Sequence, residues 1–569
     1  MNIWRKLLSR TKPGGNLWLS AGLFLCLLMI MAPPLNAAEP PEPPGSAENQ
    51  VFQFMQSGVC TNWPDSSTSK ATAYLWIPEH CLHLRGLLIL CANVPEHRLV
   101  GHPAIRAACA AHDLGIVWCV PSFMNFRKDK VKGTDMAHDY PTTTTFLQEL
   151  LDGLARTSGY EEVATVPWLP IGESGHLLMV DALVEQRPDR CIAGIWLKNN
   201  HLPPKNRQVP ALVAFGTAQQ WSQDKTDIRT NWNNVSAAYE GILKQRADNP
   251  QWPLSYIIDG SSGHFSCREK LTSYVARYID LAAAARLSQD GSPKLRPVDL
   301  ANGYLAELPV PGHAGHKATA FAQTPESGHD LPWFFDRSSA MAAQSFAAIN
   351  WSAETQLPAF TDGQGNILPF NFNGIQSATP VMDADGITFT LHGVMLDRIP
   401  ENFVAAGTPL PHTPGQPEIE WLCGAIKPVG NDRFQIALDR SWPNSACYLS
   451  ICQRGSKTIR TVVQPCGIKL QRNDGLKQTI TFDPLPDVTA GTRSLPLKAV
   501  SSAGLPVRFF VRAGPAIVEG NQLIFTPLPP RSRFPITVTV DAWQWGRATA
   551  PAVATAPLAE QEFRILSGK

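Results

Sequence analysis

The sequence predicts an α/β chain in which a doubly wound, mostly parallel sheet is followed by two β-sandwich-like domains, and three observations carry that reading. Between residues 84 and 290, short apolar runs alternate with helix-periodic stretches, the pattern of βαβ crossovers with helices on both faces of a parallel sheet. Beyond about residue 290 the apolar spacing falls to two, with proline and glycine turns between the runs, as in antiparallel sheets. A chain of 569 residues is also too long for one ordinary core, which favours several domains.

In order along the chain, Arg5, Lys6, Arg10 and Lys12 precede the apolar run from Leu17 to Met31, and small residues follow at Ala37 and Ala38. That order reads as a secretory signal over residues 1–38, with export to the periplasm, cell surface or medium and no membrane span left after cleavage. Residues 39–69 form a proline-rich spacer and lead-in, and residues 70–290 the α/β domain. Its strand candidates are "LRGLLILCANV", "LGIVWCVPSF", "VATVPWLPIG", "CIAGIWLKN", "VPALVAFGT" and "PLSYIIDG", with "ATAYLWIPEHC" as an antiparallel edge. Its helix candidates are "HPAIRAACAAHD", "TTTTFLQELLDGLARTSG", "GHLLMVDALVEQRP", "IRTNWNNVSAAYEGILKQRA" and "CREKLTSYVARYIDLAAAARL". Residues 291–475 read as a β-rich middle domain with one helix-like insertion, "SSAMAAQSFAAI". In the last domain, 476–569, the motifs Thr479 to Phe482, Gly504 to Val507, Gly514 to Ala516, Gly520 to Leu523 and Ala542 to Gly546 follow one another. By those motifs and their order it resembles the Ig-like repeats of bacterial surface and secreted proteins, which implies a spacing or docking role.

Composition excludes some partners. A net charge of +1 offers no electrostatic footprint for nucleic acid, and 49 prolines spread along the chain suit a loop-rich, partly β protein. Eleven of the 12 cysteines lie beyond the signal, and in an oxidising compartment some of them are expected to pair, with at least one left over. None has zinc-ligand spacing, and Cys91, Cys119 and Cys191 fall in apolar runs where buried thiols are expected.

The chemistry centres on "WLPIGESGHLLMVDAL", Trp168 to Leu183. A catalytic serine must be exposed on a tight strand-to-helix turn whose neighbours are small, and Gly172 and Gly175 supply them around Ser174. His176 stands where the usual G-x-S-x-G spelling has its second glycine. Such a serine needs a base, a carboxylate to orient that base, and donors for the oxyanion. His264 in "DGSSGHF" follows the last strand of the series, the place for the base.

By Ser174, Gly172, Gly175, His264 and the strand order, the segment from about 70 to 290 resembles the α/β-hydrolase superfamily, in particular secreted esterases of the polyhydroxyalkanoate-depolymerase, feruloyl-esterase and acetyl-xylan-esterase type. The resemblance implies a nucleophile at Ser174, a general base at His264, and oxyanion donors from the backbone of Gly175 and of Asn93 in the loop Ala92 to Val94. It places the acid after "VPALVAFGT", where Gln219 and Gln220 stand, so that Asp224 is the first candidate, Asp227 the second and Asp259 the third.

Glu173 is expected at the strand end facing the substrate, and Trp333 in "HDLPWFFDRSS" as an aromatic over the cleft. "VMDADGITF" reads as a β-turn in preference to a calcium loop, and "LPVPGHAGHKA" as a solvated loop in preference to a metal site, so no metal and no cofactor are expected. The expected activity is carboxylic-ester hydrolysis on an esterified polysaccharide or other polymer. Two rivals remain open at this stage: a hydrolase scaffold without activity serving surface binding or adhesion, and a serine peptidase of the same fold.

Overall fold

Strands whose two faces are both covered by helices read as continuous apolar runs, and the central sheet is built from such strands. The computed structural model describes residues 51–61, 68–123, 140–198, 202–204, 208–217, 228, 232–371 and 373–568. The signal expected over 1–38 and the acid candidates Asp224 and Asp227 lie outside these residues. The eight strands are β1 (Phe54–Thr61), β2 (Thr68–Trp76), β3 (Gly86–Cys91), β4 (Leu114–Val120), β5 (Trp168–Glu173), β6 (Gly194–Leu197), β7 (Ala211–Gly216) and β8 (Leu254–Asp259). They lie in the order β1-β2-β4-β3-β5-β6-β7-β8, with β3 to β8 parallel and β1 and β2 antiparallel. From β3 the chain winds to β4 on one side, then returns to β5 on the other. The carboxyl ends of β3 and β5 therefore flank a switch point, where an open α/β sheet leaves a crevice for a ligand.

Helices α1 (Val94–Leu99), α2 (Pro103–Ala110), α3 (Tyr140–Ser158), α4 (Leu177–Gln186), α5 (Trp232–Asp248) and α6 (Glu269–Arg286) connect or follow these strands. Five of them fall on the stretches the periodicity picks out. The exception is α1, expected as loop, whose start carries Pro95 in the first turn followed by Glu96. A second difference concerns the edge. The run "ATAYLWIPEHC" does supply the antiparallel β2, but the lead-in segment adds β1 outside it, in register from Phe54 opposite Leu75 to Thr61 opposite Thr68.

After α6, β9 (Tyr304–Leu305) pairs with β10 (Thr319–Ala320) and β11 (Trp333–Phe334), and α7 (Arg337–Ala347) follows. Asp336 caps α7 by accepting from Ser339 N–H at 2.7 Å. This helix lies on β8, with Phe346 carbonyl accepting from Gly260 N–H at 3.3 Å and its ring edge-on to Tyr274. Trp333 does not overhang a cleft. It is 1% exposed, packed with Leu300, Leu305 and Phe321, because its β-pairing turns the indole into that small core, where its N–H reaches Leu300 carbonyl.

The middle region forms the sheets Gln376–Ala378, Val462–Ile468, Tyr448–Gln453, Glu418–Cys423 and Thr388–Thr390, Arg433–Ile436, Ile426–Pro428 around a core that includes Phe389, Phe434 and Leu449. "VMDADGITF" is a turn there, closed by Gly386 N–H to Asp383 carbonyl. The last region forms small sheets as well, the largest Val488–Thr489, Ala559–Leu566, Ile536–Trp543 and Arg508–Ala513. Arg531 ties it to the α/β layer through Glu162 at 2.8 Å, and Gly514 N–H donates to Phe52 carbonyl at 3.0 Å. Among the described residues no helix is long and apolar enough to cross a membrane.

Among the described residues Cys81, Cys91, Cys109, Cys119, Cys191, Cys267, Cys423, Cys447 and Cys466 are buried free thiols, in place of the pairs expected, and Cys60 and Cys452 are buried as well.

Leu88 lies at the centre of β3 with 0% exposure. Leu88→Ala is expected to lower unfolding free energy by about 2–5 kcal/mol through the cavity it leaves, read by urea denaturation.

Candidate active site

Ser174 directly follows β5 and has φ +54°, a left-handed conformation that a non-glycine residue adopts at a cost of about 1–3 kcal/mol. A short 3₁₀ turn, Ser174–His176, then runs into α4. The tight return of the chain is accommodated at Gly172, where a Cβ would stand 2.3 Å from the carbonyl oxygen of His176. His176 itself has ordinary helical dihedrals (φ −78°, ψ −4°), so a side chain at that position does not prevent the turn. Its imidazole is buried, which pushes its pKa down to about 4 and keeps it neutral.

His264 Nε2 lies 2.9 Å from Ser174 Oγ across 90 residues of sequence. His264 is 5% exposed and its ring meets Phe265 edge-on. The loop that carries it is pinned from below by a buried ion pair. Lys198, just past β6 with φ +61° and 0% exposure, reaches Asp259 Oδ2 at 3.2 Å and also donates to Ser262 Oγ. Ser262 Oγ donates to Asp259 Oδ2 in turn, and Ser261 approaches Oδ1 at 3.4 Å. Burial would raise the Asp259 pKa, but Lys198 and the hydroxyl outweigh it and hold the carboxyl below its ordinary value. With its oxygens so engaged, Asp259 anchors the loop. The other two acid candidates, Asp224 and Asp227, lie outside the described residues.

Glu173 does not face outward to a substrate. It is 0% exposed, with Oε2 accepting from Asn93 Nδ2 at 2.5 Å and Oε1 standing 3.3 Å from His264 Nε2. Its backbone N–H donates to Glu96 Oε1 at 2.7 Å. Burial, and then the neighbouring Glu96, push the Glu173 pKa well up against the opposing pull of Lys198 and Asn93. Burial likewise pushes Glu96 up to about 8. Burial, and for Glu173 the neighbouring Glu96 as well, thus favours the neutral carboxyl in both.

Asn93 stands between β3 and α1 and ties this loop to the end of β5 through its side chain. Of the candidate oxyanion donors around it, Ala92 N–H is committed to Cys119 carbonyl at 2.8 Å.

The middle region covers both loops, which the sequence does not announce. Val94 packs with Leu422 and Cys423, and Phe265 lies 4.9 Å from Tyr448, ring to ring. His97 on α1 pairs with Asp439 at 3.1 Å, accepts from Gly424 N–H at Nδ1 and meets Trp421 edge-on. Arg268, four residues past His264, pairs with Glu420 at 2.9 Å. Glu96, His97, Lys198, Asp439 and Tyr448 are the residues that reading by motif missed. Only Pro95-Glu96, a helix-start signal, pointed to any of them.

No family model matches the chain, and no curated protein sequence matches it. Solved structures similar to it include poly(aspartic acid) hydrolase-1 from Sphingomonas sp. KT-1, at 13% identity over 40% of this chain and 99% of that one, with a TM-score of 0.28. The LpqC poly(3-hydroxybutyrate) depolymerase from Bordetella parapertussis is similar at 12% identity over 42% and 92%, with a TM-score of 0.28. The siderophore hydrolase EstA from Aspergillus nidulans is similar at 11% identity over 43% and 98%, again with a TM-score of 0.28.

The buried carboxyls make stability depend on pH. Glu96 titrates near 4.5 in the unfolded chain and near 8 when folded, so the stability its proton contributes is complete below 4.5 and lost as pH rises through 8. The opposite dependence of His176 acts only below its ordinary value of 6.5. Between pH 6.5 and 8 the urea midpoint of the native chain is therefore expected to fall, and that of Glu96→Gln to fall less.

Proposed function

We propose that this chain is a secreted serine hydrolase of the α/β-hydrolase type, a carboxylic-ester hydrolase that works through an acyl-enzyme on Ser174. The observation that carries the reading is the 2.9 Å approach of His264 Nε2 to a serine Oγ held at positive φ on the switch-point side of the sheet. His264 takes the serine proton as Oγ attacks the ester carbonyl, and the N–H groups of Gly175 and Asn93 receive the oxyanion. Collapse of that intermediate expels the alcohol, which takes the proton back from His264. Water, activated by the same imidazole, then releases the acid. Val94, Phe265, Leu422 and Tyr448 pack together where the middle region meets the loops that carry Asn93 and His264. An ester carried on a polysaccharide or other polymer suits a chain with two further β regions, the last of them Ig-like by its motifs.

Ester hydrolysis tests the reading. The chain is expected to turn over p-nitrophenyl acetate, with kcat/KM falling by about four orders of magnitude in Ser174→Ala and His264→Ala. A peptide anilide is expected to be a far poorer substrate; preference for the anilide would indicate a peptidase instead. Asp439→Ala releases α1 from the middle region and is expected to lower kcat about ten- to a hundredfold by misplacing the oxyanion loop, with the urea midpoint reported alongside.

A further inference from the structure

We propose that Glu307, His313 and His316 form a binding site for a transition-metal ion of the Zn²⁺ class, separate from the serine site. The three residues lie in the loop between β9 and β10, which the sequence marks only by two histidines three apart. The fold adds the carboxylate. His313 Nε2 lies 2.9 Å from Glu307 Oε1, and His316 Nδ1 is bonded to Glu307 Oε2, so one carboxylate faces two imidazoles. One potential ligand atom from each residue falls within 4.8 Å of the others, a grouping that occurs once among the described residues.

The loop is shaped to bring them together. Val310 and His313 exchange both backbone hydrogen bonds at 2.9 Å, closing a turn that swings His313 back over Glu307. Gly315, at φ +73°, lets the chain fold against Glu307, where a Cβ would stand 2.7 Å from the Glu307 carbonyl oxygen. Gln344 on α7 then bonds both the Glu307 carbonyl, at 2.9 Å, and the His316 carbonyl, at 2.5 Å. That side chain fixes the spacing of two ligand-bearing residues from outside the loop, the arrangement by which an outer shell orients metal ligands.

The donor set selects the ion. Two imidazoles and one carboxylate suit Zn²⁺ and its neighbours, whereas Ca²⁺ and Mg²⁺ require mostly oxygen ligands. Zinc sits about 2.0–2.2 Å from nitrogen and oxygen ligands, so atoms bound to one tetrahedral ion stand roughly 3.3–3.5 Å apart, against 2.9 Å between His313 Nε2 and Glu307 Oε1 here. His313 and His316 are 46% and 81% exposed at the side chain, which leaves the fourth position to water.

Titration of the full-length, chelator-treated protein with ZnCl₂ by calorimetry tests this. One equivalent is expected to bind and to raise the melting temperature, while CaCl₂ does neither. Affinity is expected to fall at least about tenfold in His313→Ala, in His316→Ala and in Glu307→Gln. Melting in EDTA shows whether each variant is folded, and p-nitrophenyl acetate turnover is expected to be unchanged by all three. Absence of zinc binding to the folded native chain would overturn the proposal. So would binding of undiminished affinity in the folded His313→Ala and His316→Ala variants, which would place the ion elsewhere.

Discussion

Everything at the candidate active site depends on holding Ser174 at positive φ, one residue beyond β5, so that its Oγ meets His264 Nε2. The conformation is unfavourable for serine and persists because its surroundings leave no alternative. Gly172 lets the helix backbone approach the strand, Glu96 fixes the N–H of Glu173, and Asn93 holds both the carbonyl and the carboxyl of Glu173. The residue before Ser174 is thus bonded through its N–H, its C=O and its side chain. The strain at Ser174 is borne by a buried polar network that joins Asn93, Glu96 and Glu173.

The second partner is held by independent means. His264 rides on a loop anchored by the Lys198–Asp259 pair, which is fully desolvated and therefore contributes to geometry more than to stability. Removing either member would leave a buried charge without its partner. The middle region then closes over both loops, with Asp439 on α1 and Glu420 on Arg268. A β region that sequence patterning treats as an appendage therefore supports the loops of the candidate site.

The sequence revealed the local features and missed the long-range ones, for a physical reason. β3 to β8 stand out because both their faces are buried, and Ser174 and His264 stand out because a tight turn and a post-strand loop leave glycine signatures beside them. Lys198 and Asp259 lie 61 residues apart, and His97 and Asp439 lie 342 apart, so no period or motif links them. Glu173 was placed correctly at the strand end, but its orientation depends on Asn93, 80 residues earlier. Trp333 was read from an aromatic cluster that equally marks a core, and burial decides between the two. The disulfide expectation rests on the compartment inferred from the N-terminus, and buried thiols such as Cys109, Cys191 and Cys267 do not follow it.

The central claim is that Ser174 is an activated nucleophile, and covalent trapping reads that property directly. The full chain would be treated with a fluorophosphonate probe, digested, and mapped by mass spectrometry. A single adduct on the peptide containing Ser174, formed slowly or not at all in His264→Ala, is the predicted result. A folded chain that takes no label at Ser174, or takes it at the same rate without His264, would contradict the account.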